Sequence, residues 1–187
     1  MICGESIRVV HPLFQEEGGG SIPTSPLQLH VGKISQRLAM QLNGEWHSRL
    51  PHISNWKTCT AYGAEYQGVW YAVAMWATPS SASLNGRNWY ELKRFAIAPD
   101  APRYTASRML SVMRKMIKKD MPTVERLISY QDTEVHFGTI YKAAGWTCAG
   151  KTHKGGKTGW STHQRFRAES NGKNVLLADK FRWELEL

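Results

Sequence analysis

Three stretches of this 187-residue chain bring together groups whose types and spacing could do chemistry. The first is Arg103-Tyr104-Thr105-Ala106-Ser107-Arg108. It lies between a strand pattern and a helix pattern. Backbone N–H groups there converge with the positive end of a helix dipole, an arrangement that favours anions. A pyrophosphate would sit well at Arg103 to Ser107; the competing reading is an ordinary strand–helix connection that binds nothing. The second is Ser129-Tyr130-Gln131-Asp132. Asp132 falls just past the C-terminal end of a strand, where crossover sheets place ligand contacts. It is equally placed to cap the next helix. The third is EWHSRLPH, residues 45–52, dense in polar groups and without a clean period. His47 there suits a base, a metal ligand or a substrate contact, and equally a hydrogen-bonded surface histidine. His47 and His52 lack the i, i+4 helical spacing of a zinc pair.

The elements that must position these groups are legible from periodicity. Residues 89–98 alternate roughly as a strand, and Pro99 stops it. The loop of residues 100–105 then feeds a helix. Thr105 can cap that helix, and Met109, Leu110, Val112, Met113, Met116 and Ile117 recur at helical spacing. Met121-Pro122 ends it, and residues 126–130 suit a buried strand. Two strands joined through a helix imply a right-handed parallel crossover. Upstream, residues 27–31 are a candidate first strand and residues 33–42 a helix with Ile34, Leu38 and Leu42 on one face. Residues 58–66 and 69–76 read as a hairpin turning at Gln67-Gly68. Downstream, Asp132 or Thr133 can cap a helix carrying Val135, Ile140, Tyr141 and Ala144, with Gly145 as its C-terminal stop. Residues 146–152 make a strand. Phe181, Trp183, Leu185 and Leu187 alternate as another, expected to pair antiparallel with it. Residues 1–26 read as an N-terminal extension with a short strand at residues 7–10. Residues 27–187 read as one domain with an exposed basic loop at about 153–178.

Composition narrows the partners. The formal net charge is +9 and the sequence pI about 9.6. A basic balance favours polyanions, either nucleic acid or a phosphate-bearing cofactor, with plain solubilisation as the alternative. Cys3, Cys59 and Cys148 are isolated, odd in number and without metal-ligand spacing. Reduced cytosolic thiols are the expectation. No run of 18 apolar residues and no basic-then-apolar N-terminus is present, so neither membrane span nor signal peptide is expected.

The order of elements resembles the GNAT acyltransferase fold: hairpin, long strand, phosphate-type loop, helix, parallel strand, helix, two more strands. That family often reads Tyr-x-x-x-Gly-Phe before its last strands, and Tyr141-Lys142-Ala143-Ala144-Gly145-Trp146 takes that place here. The resemblance covers roughly residues 27–152. It implies an α/β (α+β) fold with a mixed, mostly antiparallel sheet, one central parallel crossover and flanking helices. At the pyrophosphate loop the family usually carries Gly-x-Gly/Ala, and this chain departs from it with Arg103-Tyr104-Thr105-Ala106-Ser107.

A narrower resemblance rests on Leu92-Lys93-Arg94, Thr105-Ala106-Ser107, Leu127 to Asp132, Gly138 to Ala144 and the WHSRLP run. Together these are similar to the Mom family of phage proteins, which convert adenine in DNA to N6-(carbamoylmethyl)adenine and so protect it from restriction. The resemblance implies acetyl-CoA as donor and double-stranded DNA with a flipped adenine as acceptor, in the cytoplasm of an infected bacterium. It implies cofactor contacts at Phe95, Ala96, Ile97, Arg103, Thr105, Ala106, Ser107 and Arg108. Catalysis would fall to Asp132 as proton acceptor, Tyr141 as donor to the leaving thiolate, Arg94 as charge stabiliser, and His47. Ser129, Tyr130, Gln131, Trp46 and Arg49 would contact the base. Iron, with His47 as a ligand, is one route to the methyl-linked product, and a homodimer is among the possible assemblies. Two other functions remain in play. One is a GNAT N-acetyltransferase acting on a small amine or protein; the other is a DNA-binding module that keeps the fold without the chemistry.

Overall fold

The computed structural model describes residues 22–48, 50, 59–84, 86–133, 137–152 and 180–187. The expected strand at residues 7–10, most of the N-terminal extension and the basic loop lie outside them. The described elements are β1 (His30–Ile34), α1 (Gln36–Trp46), β2 (Thr60–Tyr66), β3 (Val69–Ala77), β4 (Trp89–Ile97), α2 (Thr105–Asp120), β5 (Arg126–Asp132), α3 (Thr139–Ala143), β6 (Thr147–Thr152) and β7 (Lys180–Glu186). They form a seven-stranded sheet in the order β1-β2-β3-β4-β5-β7-β6. Every pairing is antiparallel except β4 with β5, the product of the crossover through α2.

The hairpin of β2 and β3 turns on Gln67 and Gly68, both at positive φ (50° and 79°). Two left-handed residues make the twist that suits a two-residue hairpin. β3 is buried along most of its length because both faces are covered. On one face Val73 and Met75 pack with Ala39 and Leu42 of α1. On the other, Ala72, Ala74 and Trp76 meet Met109, Leu110, Met113 and Ile117 of α2. Those four α2 residues belong to the six-residue apolar stripe expected from spacing, of which Val112 and Met116 are only partly buried.

Several boundaries differ from the sequence reading. Pro26 starts a short 3-10 turn instead of a strand, capped by Ser25, whose hydroxyl accepts from the Leu27 amide at 3.2 Å. β1 therefore begins at His30. It runs to Ile34, so Ser35 caps α1 by accepting from the Leu38 amide at 3.2 Å. Thr105 is not the cap of α2. Tyr104 is, in a left-handed conformation (φ 68°), and it makes no side-chain cap bond. Thr105 is the first helical residue and donates its hydroxyl to the Pro102 carbonyl at 2.7 Å. Nor do Asp132 or Thr133 cap α3. Asp132 closes β5, and α3 starts at Thr139 after the left-handed Gly138 (φ 73°). The final strand pairs with β6 as expected, and it also inserts between β6 and β5.

Gly138 and Gly145 both have φ values that an L-residue adopts only with strain (73° and 78°). A Cβ on Gly138 would stand 2.5 Å from both Gln131 and Trp183, whereas one on Gly145 would meet nothing within 4 Å. Gly145→Ala is expected to cost about 1–2 kcal/mol, the left-handed penalty alone. Gly138→Ala is expected to cost a further 1–3 kcal/mol or about that from overpacking. Urea midpoints at unchanged m-value give the order directly.

Candidate active site

β4 and β5 are held together only from Trp89↔Arg126 to Leu92↔Ser129. Beyond that rung β4 continues to Ile97 and β5 to Asp132 without pairing to each other. The separation starts at a bulge. Met75 pairs with Arg94 and Trp76 with Leu92, so Lys93 is an extra residue on β4. Bulges bend a strand and increase its twist, which turns the end of β4 away from β5.

The ladder on the other side of β4 decides which amides face this opening. The Ala98 amide donates to the Tyr71 carbonyl at 2.9 Å. Antiparallel pairs alternate between bonded and non-bonded residues. With the register Ala72↔Ile97, Val73↔Ala96 and Ala74↔Phe95, Ala96 is turned to β3. Phe95 and Ile97 therefore aim their N–H groups into the opening. Of the three residues expected to bind a thioester carbonyl, these two present the donors.

The start of α2 adds more donors at the same end of the sheet. The Thr105 amide bonds to Pro102 at 3.2 Å and the Arg108 amide to Tyr104 at 3.0 Å. No side chain caps the turn, so the Ala106 and Ser107 amides stay open at the positive end of the helix. Ser107 turns its hydroxyl back to the Tyr104 carbonyl (3.1 Å). The Arg103 guanidinium lies over the Tyr104 ring, 5.6 Å from its centre. Tyr104 holds the left-handed conformation for which glycine is the usual residue.

On the helix side of the opening, the Tyr141 hydroxyl is 2.8 Å from Ser129 Oγ in a buried contact. The Tyr141 ring stacks on Trp183 (5.3 Å between centres) and meets Trp146 edge-on (5.6 Å). Burial pushes the Tyr141 phenol above its ordinary pKa, and the bond to Ser129 opposes this in part. Gln131 accepts from the Trp183 indole at 2.7 Å. Ser129 and Gln131 are thus built into the layer beneath α3.

Strand alternation sends Tyr130 and Asp132 to the opposite face. Their neighbours there include a group that the sequence reading did not single out. Glu91 and Lys93 form a 2.6 Å ion pair with side chains only 10% and 9% exposed. Glu91 also accepts from the Ser80 amide (2.9 Å), and Lys93 donates to the Ser80 hydroxyl (2.6 Å). Arg126 and Arg182 each hold Glu184 at 2.7 Å. Tyr130 has its phenol raised by burial first, then by Glu91, against the lowering effect of Arg182. A signal was present in the sequence: Glu91 and Lys93, Tyr130 and Asp132, and Arg182 and Glu184 occupy every second position of three strands.

The remaining candidates sit on and beside α1. Trp46 is partly buried against the core on that side. His47 is the C-terminal cap of α1, and its Nδ1 accepts from the Leu50 amide at 3.2 Å. The neutral ring therefore carries its proton on Nε2. Arg94 donates to the Lys93 carbonyl at 2.7 Å. Arg49 lies outside the described residues. Among the described residues no three His, Cys, Asp or Glu side chains come close enough to hold a metal ion, so they do not fit iron. None of the described helices is long and apolar enough to cross a membrane.

A mixed sheet parted between its two parallel strands, with an uncapped helix start beside the gap, is the architecture of GNAT acetyltransferases. Solved structures agree. A Bacillus subtilis acetyltransferase in complex with CoA superposes with a TM-score of 0.58 at 11% identity, covering 86% of this chain and 98% of that one. The Escherichia coli ribosomal-protein-S18-alanine N-acetyltransferase gives 0.57 at 14% identity, with 84% and 93% covered. Spermidine N-acetyltransferase from Vibrio cholerae, with CoA and spermine, gives 0.58 at 12%, with 86% and 96% covered. None of the curated proteins compared matches the sequence. A model of the Mom protein family matches residues 28–180, and the chain belongs to that family.

Tyr62, Tyr130 and Tyr141 all have phenols held above the ordinary value, chiefly by burial. Unfolded tyrosines ionise near pH 10, whereas these stay protonated there while the chain is folded. Their contribution to stability is complete below about pH 10 and is lost as the pH rises toward the folded-state values. Urea unfolding from about pH 8 to about pH 11 is expected to follow this decline, with a shallower slope in Tyr141→Phe.

Proposed function

We propose that this chain is an acyl-CoA-dependent transferase that modifies the N6 amino group of adenine in DNA. The observation that carries the reading is the unpaired end of β4, with the Phe95 and Ile97 amides turned into the gap, in a chain of the Mom family. The basic balance of the chain, +9, suits a polyanionic acceptor.

The donor site fits acetyl-CoA on two counts: unpartnered strand amides, and an uncapped helix start with small residues. Acetyl-CoA supplies an activated acyl group. The Phe95 and Ile97 amides bind its carbonyl oxygen and stabilise negative charge there, as fixed donors in a dry site do. The Ala106 and Ser107 amides hold pyrophosphate, with Arg103 and Arg108 adding charge. Tyr141 is protonated at neutral pH, as a phenol ordinarily is, and burial disfavours its phenolate further, so its hydroxyl carries the proton for a departing thiolate. Ser129 holds that hydroxyl in place, a positioning role that supplants contact with the base.

The acceptor side is the polar face of β4, β5 and β7. Adenine N6 is a weak nucleophile because its lone pair is delocalised into the ring, and inside a duplex it is also stacked and paired. The base must leave the stack, at a cost of a few kcal/mol. Tyr130 and Trp46 offer aromatic surface to receive it. Asp132, at the open end of β5, accepts an N6 proton. Attack on the thioester joins N6 to the carbonyl carbon. The carbamoylmethyl product that the family resemblance implies is joined through the methyl carbon and carries a second nitrogen. Breaking the methyl C–H bond falls to none of the described residues.

Mass analysis of nucleosides from DNA of cells expressing the protein tests the reading. An adenosine adduct supports it, and its mass separates an acetyl from an acetamide addition. Unmodified DNA, together with thioester turnover on a polyamine or peptide, would sink it in favour of an amine acetyltransferase. Salt-sensitive DNA binding without CoA binding would favour a binding module. Asp132→Ala and Tyr141→Phe are each expected to lower the rate by about 10²–10⁴-fold, the range for a positioned acid or base. Loss of the single buried bond in Tyr141→Phe should cost only about 1 kcal/mol of stability.

A further inference from the structure

We propose that Phe137 is the wedge that enters duplex DNA and occupies the space left by the extruded adenine, an inference that rests on the DNA reading above. Phe137 is 92% exposed. A single apolar side chain on a surface is ordinary, and what distinguishes this one is its mounting. It follows the strand that ends at Asp132, and it immediately precedes Gly138. Gly138 is pressed against Gln131 and Trp183 so closely that not even a methyl group fits. Those two side chains are bonded to each other at 2.7 Å. The ring thus projects into solvent from backbone seated on the buried core, and little ordering is needed for it to enter a stack.

The described chain exposes four large hydrophobic side chains, and its two exposed aromatic rings are Tyr104 and Phe137. Tyr104, 70% exposed, stands on the loop after β4, and Phe137 on the loop after β5. These are the two strands that part to form the opening, and because they run parallel both rings lie on loops leaving the same end of the sheet. Tyr104 has the Arg103 guanidinium over its face and belongs with the anion-binding helix start. Phe137 carries no polar atom, and among the described residues no cation lies over its ring, the chemistry suited to the apolar space between stacked bases. Apolar wedges of this kind unstack and kink duplexes. Burying a phenyl ring returns free energy of the same order as unstacking one base costs.

The wedge is needed only where a base must be drawn out of a duplex. The test therefore uses the full chain, wild type and Phe137→Ala and Phe137→Trp, on one adenine-containing sequence presented as duplex and as single strand. Adenine modification is followed by nucleoside mass analysis. Phe137→Ala is expected to lose about tenfold or more on duplex and to stay within about twofold of wild type on single strand, with Phe137→Trp restoring duplex activity. Equal loss of Phe137→Ala activity on both forms would assign the residue to local packing and overturn the proposal, as would full duplex activity. A wild type that modifies neither form overturns the DNA reading itself, and the wedge with it.

Discussion

Backbone hydrogen bonding is obligatory, and in the interior of this sheet it is left incomplete between β4 and β5. The parallel rungs between β4 and β5 stop at Leu92 and Ser129, yet both strands go on. The single extra residue Lys93 sits at the point of departure. The groups assigned roles in the proposed function are disposed around that defect. The amides of Phe95 and Ile97 look into it, the uncapped start of α2 stands at its end, and Tyr141 and Asp132 flank it. A sheet that zipped to the end would be a better-satisfied fold with no opening between β4 and β5.

The same alternation that builds the sheet divides the labour across it. Odd and even residues of β5 lie on different faces, so adjacent letters in Ser129-Tyr130-Gln131-Asp132 serve different layers. Ser129 and Gln131 are consumed in holding Tyr141 and Trp183. Tyr130 and Asp132 belong to the charged face with Glu91, Lys93 and Arg182. In the proposed function, donor chemistry on one side and acceptor recognition on the other meet through the gap.

Much of this was readable from pattern. The apolar stripe of α2, the hairpin at Gln67-Gly68 and the crossover all follow from period and turn chemistry, and all three are present. The misses have physical causes. Thr105 looks like a cap by type, but the backbone turns left-handed one residue earlier, at Tyr104, where no propensity would place it. Asp132 looks like a cap for α3, but residues in β5 keep pairing with β7 through Asp132↔Lys180. The insertion of β7 between β5 and β6 depends on contacts some fifty positions apart, beyond the reach of any local signal. The ion pair of Glu91 and Lys93 escaped notice because charged residues on a strand usually mean solvent, and here they do not.

That buried pair divides the charges of the molecule into two populations. Added salt shortens the reach of exposed cations, such as those along the outer face of α2, to about 8–10 Å or less at ordinary ionic strengths. It has little access to Glu91 and Lys93, which are nine-tenths covered and bonded to Ser80 as well as to each other. Ionic strength can therefore weaken the hold on the polyanion proposed as acceptor while this buried pair keeps its geometry. Capture and site geometry in this fold answer to different properties of the solvent.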